Sequence, residues 1–136
     1  MKQIYILLIA AFTITLVACN KETASTPTDV MSDMISDKTW YLDYSVTGTN
    51  TRSYVGQSTY FVTYLKNGTT NDSDGLTGTY TVEVINNQSQ IHVQVKTANG
   101  NPLEVVYNII SIGDNKMVMS KQISTGTPTQ LYFTSK

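Results

Sequence analysis

The sequence predicts an all-β domain, an antiparallel meander of about seven or eight strands closing into a barrel behind one short N-terminal helix. Three observations carry that expectation. From Trp40 onward apolar residues recur with a period of two. Turn formers such as Asn67-Gly68, Asn86-Asn87 and Gly113-Asp114-Asn115 punctuate the chain at hairpin spacing. Only one stretch, just before Trp40, shows helical periodicity. A meander exposes two edges unless its first and last strands meet, and no further helix is on hand to cover them, so closure is the expected solution. An open sandwich of two small sheets is the alternative.

The first residues read as a leader. Lys2 supplies a positive n-region, Ile4 to Val17 an apolar run, and Leu16-Val17-Ala18-Cys19 resembles the lipobox of bacterial lipoproteins, with a small residue just before the cysteine. The run is too short for a stable membrane span. Residues 1–18 are therefore expected to be a signal peptide and Cys19 a lipidation site. That implies a membrane partner through the N-terminus and a place in the cell envelope, as an outer-membrane lipoprotein on the periplasmic or the surface face. Cys19 is the sole cysteine, so no disulfide can form within the chain. Residues 19–28, with Ser25, Thr26 and Pro27, are too polar to offset their ordering entropy and read as a flexible tether.

The domain is then 29–136. In Asp29 to Asp37, Val30, Met31, Met34 and Ile35 fall on one helical face, with Thr28 or Asp29 as N-cap. Two turns do not persist alone in water, so this helix must pack on an open end of the β domain. Trp40 to Val46 begins the meander, and Arg52 to Val55 is an optional extra strand. Tyr60 to Leu65 runs into Asn67-Gly68, a two-residue hairpin signal. Asn71 to Gly75 is a polar loop. Tyr80, Val82 and Val84 alternate with polar residues, Asn86-Asn87 turns the chain, and Ile91, Val93 and Val95 alternate again. After Asn99 to Pro102, Val105, Tyr107 and Ile109 share one face. Val106 and Ile110 on the other face imply a bulge, a bend or cover by the helix. Met117 to Ile123 and Gln130 to Ser135 complete the set.

Asp37-Lys38-Thr39-Trp40-Tyr41-Leu42 after a short helix, Tyr64-Leu65-Lys66-Asn67-Gly68, Gly78-Thr79-Tyr80-Thr81-Val82, Tyr107-Asn108-Ile109 and Leu131-Tyr132-Phe133 together resemble small lipocalin-like lipoproteins of the Bacteroidetes type. The resemblance is to the pattern of Trp40 to Lys136. It implies a barrel and, in many such folds, a small hydrophobic ligand. The chain departs from lipocalins proper in having Lys38 where they place glycine, and no arginine after Arg52 to pack across the tryptophan.

Catalytic and nucleic-acid chemistry find little footing. Nine Lys and Arg face ten Asp and Glu, and the basic residues are scattered, so no phosphate-binding surface is expected. His92, the one histidine, lies on the polar face of its strand and is expected to be exposed, without the base and orienting carboxylate of a hydrolase or the further ligands of a zinc site. Asp72 and Asp74 sit where carboxylates cap turns, and the terminal Glu of a calcium loop is missing. No enzyme activity, cofactor or metal is expected. Tyrosine is abundant, nine residues in all. It suits a pleated half-buried surface and equally a binding cavity. Trp40, Tyr60, Tyr64, Tyr80 and Tyr107 are the candidate ligand-binding residues. Two functions follow: a lipid-anchored module holding a small apolar or amphipathic ligand, or a non-enzymatic interaction, inhibitor or accessory lipoprotein that uses the barrel as scaffold to contact an envelope protein. An exposed aromatic patch around Tyr41 to Tyr60 would favour the second.

Overall fold

The structure, a computed structural model, describes residues 24–96, 99–121 and 126–136. The leader, Cys19 and the end of the strand expected to run to Ile123 lie outside the described residues. The described residues form helix α1 (Pro27–Ile35) and nine strands: β1 (Lys38–Thr47), β2 (Asn50–Ser53), β3 (Phe61–Tyr64), β4 (Thr69–Asp72), β5 (Thr77–Ile85), β6 (Gln88–Lys96), β7 (Pro102–Ile112), β8 (Lys116–Lys121) and β9 (Thr129–Ser135).

All neighbouring pairs are antiparallel, and β1 and β9 pair from Trp40↔Ser135 to Thr47↔Thr129, which closes the sheet into an eight-strand barrel. The sandwich alternative is thereby excluded. β2 is the ninth strand and stands outside the ring: Lys38 to Tyr41 of β1 pair with β3, and Tyr44 to Thr47 pair with β2 further along the same side.

Alternation sets the interior. Trp40, Tyr64, Tyr80, Ile91, Ile109, Met117, Met119 and Phe133 are buried. In β7 the register shifts between Ile109 and Ser111, and Ile110 is turned out to solvent. The bulge thus resolves the two-faced apolar pattern of that strand, while α1 packs on β5 instead.

Helix α1 begins two residues before the expected start, because Pro27 suits the first helical position and Thr26 is the N-cap. Asp29 Oδ2 accepts the Thr26 amide at 3.0 Å, and Thr26 Oγ1 accepts the Asp29 amide at 3.2 Å, a complete capping box. Of the expected apolar stripe, Ile35 is fully buried and Met31 packs against the core, but Val30 is 47 % exposed. The helix stoppers one barrel end. Trp40 Nε1 donates to the Ile35 carbonyl at 2.9 Å, and Asp37 donates its amide to the Tyr64 carbonyl at 2.7 Å.

Two turns differ from their expected chemistry. Leu65 to Gly68 is a longer turn in which Gly68 takes positive φ (80°) and Asn67 does not, Asn67 Oδ1 accepting the Thr69 amide instead. The turn with both central residues at positive φ is Asn86-Asn87 (51° and 62°). Asn71 and Asp72, expected in a loop, belong to β4, a strand with no apolar alternation to reveal it.

Candidate functional site

At the barrel end opposite α1 the interior is not filled. A cavity of about 270 Å³ is walled by Leu42, Val62, Val93, Val95, Val105, Leu131 and Phe133, with Tyr64, Tyr107, Met119, Thr70, Asn71 and Asp72 among its lining. Tyr60, Leu76 and Leu103 line it too, and are 39 %, 42 % and 49 % exposed, so the cavity reaches solvent at this mouth. The two ends differ for a sequence reason. Near α1 the inward positions carry Trp40, Tyr64, Tyr80, Ile91 and Met117, large enough to meet at the axis. Toward the mouth the neighbouring strands β6 and β7 carry Val93, Val95 and Val105, whose short side chains do not fill the interior in front of them.

Five aromatic residues were candidates from sequence. Tyr60, Tyr64 and Tyr107 line the cavity; Trp40 and Tyr80 lie in the packed end. Trp40 is fully buried under Ile35, and Lys38 Nζ sits 5.5 Å from its ring centroid. Tyr80 meets Tyr64 edge-on at 4.9 Å and donates its hydroxyl to the Leu65 carbonyl at 3.0 Å. Its role in the fold is to seal the floor. Sequence reasoning put Asp72 in a turn and missed its place on the cavity wall. Asp72 Oδ1 does cap the turn, accepting the amides of Asp74 and Leu76 at 3.0 Å each.

The polar groups of the cavity are few. The Tyr64 and Tyr107 hydroxyls make no hydrogen bond to another described residue. Burial pushes the Tyr64 phenol far above its ordinary value, with Tyr107 and Tyr80 adding to the effect. Burial first, and then the Asp72 charge, raises Tyr107 as well. Both phenols therefore stay neutral at ordinary pH, as donors and acceptors at once.

Two other features lie on the outer surface. His92 faces outward as expected, yet only 20 % of its side chain is exposed. Its Nδ1 lies 3.1 Å from Oε1 of Glu104 and its Nε2 3.2 Å from Oε1 of Gln90, so neighbours on β6 and β7 cover it. No group of three or more His, Cys, Asp or Glu side chains is arranged to hold a metal among the described residues. Beside β2, Tyr54 meets Tyr60 edge-on at 4.7 Å, Arg52 lies 5.2 Å over Tyr54, and Lys136 lies 5.1 Å over Tyr41.

The fold and the cavity define a closed antiparallel β-barrel, plugged by a helix at one end and hollow at the other. No protein family, curated protein or solved structure matches the chain.

Proposed function

We propose that this protein is a non-enzymatic binding module of the cell envelope, anchored by lipid at Cys19, that holds a small apolar or amphipathic molecule in the mouth half of its barrel. The observation that carries the reading is the cavity itself: apolar walls, a few inward polar groups and an apolar rim are the make-up of a small-molecule site. Its size, about 270 Å³, equals roughly nine waters' share of liquid volume, which limits the occupant to a small molecule or one end of a longer one. A tether entering ahead of α1 would attach at the plugged end and leave the mouth clear.

Native mass spectrometry of residues 20–136, which lack the lipidated cysteine, purified without detergent and incubated with envelope lipid extract, tests the reading. Reproducible added mass is expected, lost on organic extraction and absent from Val105→Trp, whose indole would fill the cavity. A polypeptide that stays bare after incubation would sink the idea. The aromatic and cationic cluster of Tyr41, Tyr54, Arg52 and Lys136, with Tyr44 42 % exposed nearby, favours the second reading in that event, a surface that contacts another envelope protein.

A further inference from the structure

The cavity's charge pattern is one-sided. Among the described residues no lysine, arginine or histidine lines it, whereas Asp72 does. The two amides that Asp72 accepts both use Oδ1, and Oδ2 makes no hydrogen bond to a described residue. Tyr64 is 2 % exposed as a residue, and its hydroxyl has no partner among the described residues, so water or a ligand group must satisfy it. Ser36 Oγ is the side-chain atom that is both sealed off and without a partner among the described residues. The Tyr64 oxygen is therefore not sealed, and the space that Tyr64 borders is the cavity.

Resting on the binding reading above, we infer that the cavity selects amphipaths by the charge of their head group, taking a primary amine or a neutral hydroxyl and refusing a carboxylate. The head hydrogen-bonds to the Tyr64 and Tyr107 hydroxyls and, when it is an ammonium, pairs with Asp72. The short chain lies along Val93, Val105 and Leu131. A carboxylate entering the same space loses its hydration, meets the Asp72 charge and finds no cation to offset either cost. A neutral hydroxyl avoids both costs and can donate to and accept from the phenols.

Octylamine, octanol and octanoate share one chain and differ only in the head, and their sizes suit the cavity. Isothermal titration of the full chain with each at neutral pH is expected to show octylamine and octanol binding at least about tenfold more tightly than octanoate, the factor that one charge-assisted hydrogen bond supplies. Asp72→Asn keeps the Oδ1 acceptor that caps the turn, and is expected to erase the preference for amine over carboxylate while leaving octanol within about twofold. Tyr107→Phe should weaken octanol several-fold. Octanoate binding as tightly as octylamine, or an unchanged preference in Asp72→Asn, would overturn the inference and leave the binding barrel standing. Failure of all three compounds to bind, with added mass absent in the native spectra, would remove the binding reading itself.

Discussion

Gly78 is held at its position by the neighbouring strand. A Cβ built there would lie 2.2 Å from the Gln94 carbonyl oxygen and 2.9 Å from Val95 Cγ1, so β5 and β6 approach more closely than any side chain permits. The obstacle is backbone and cannot swing aside. Gly78→Ala is expected to destabilise the fold by about 1–3 kcal/mol, as overpacked sites do, seen as a lower urea midpoint with an unchanged slope. A midpoint equal to that of the unsubstituted chain would mean that the two strands separate easily here. This close approach is not written in the residues around Gly78, and the surroundings of His92 are equally silent. Nothing in the residues around His92 announces that Gln90 and Glu104 fold over it, since that cover comes from its own strand and from β7 at once.

Among the elements, α1 defines the packed end of the barrel, where Ile35 is buried and accepts the Trp40 indole hydrogen bond. Its start depends on one reciprocal pair, Thr26 and Asp29. Removing the cap with Thr26→Ala is expected to cost about 0.5–2 kcal/mol of helix stability. Hydrogen exchange should then quicken in α1 and at the Trp40 indole N–H, with the β6 and β7 amides unchanged. Uniform quickening would show instead that the helix unfolds only together with the barrel. The hydrogen bonds from Thr26 hold the Asp29 carboxyl below its ordinary value. This part of the stability is present above the unfolded value and is lost as pH falls through the folded one. Helical periodicity in Val30 to Ile35 showed that a stopper exists and what it needs. The strand β4 escaped the same logic because Thr69-Thr70-Asn71-Asp72 carries no apolar alternation; neighbours on both sides hold it in the sheet.

The whole molecule stands on one core without disulfides among its described residues, and that core contains ionisable phenols. Tyr64, Tyr80 and Tyr107 are all raised above the ordinary tyrosine value of 10.0, burial being the largest cause in each. Unfolded tyrosines ionise near pH 10, whereas these do so only at higher pH in the folded barrel. Their contribution to stability is complete below about pH 10 and drains away as pH rises toward the folded values. Melting temperature should thus hold steady up to about pH 9 and fall beyond pH 10. Tyrosinate absorbance of the buried phenols should rise together with loss of the near-ultraviolet circular dichroism. Ionisation of every tyrosine ahead of any loss of structure would contradict the burial described above.

From sequence alone the period-two alternation and the turn formers determined an all-β meander and its strand faces, with a helix for one end, while the choice among bulge, bend and helix cover in β7 was left to the structure. These are local properties, written in neighbouring residues by backbone geometry. Closure was decided by the tertiary structure, since the pairing of β1 with β9 joins the two ends of the domain. So was the split of the candidate aromatics between a sealed floor and a hollow mouth. Trp40, Tyr80 and Tyr107 all occupy inward positions, and an inward position says only which face a side chain takes. Whether it meets other large side chains or a wall of short valines depends on its height in the barrel, which register and tilt fix across several strands at once.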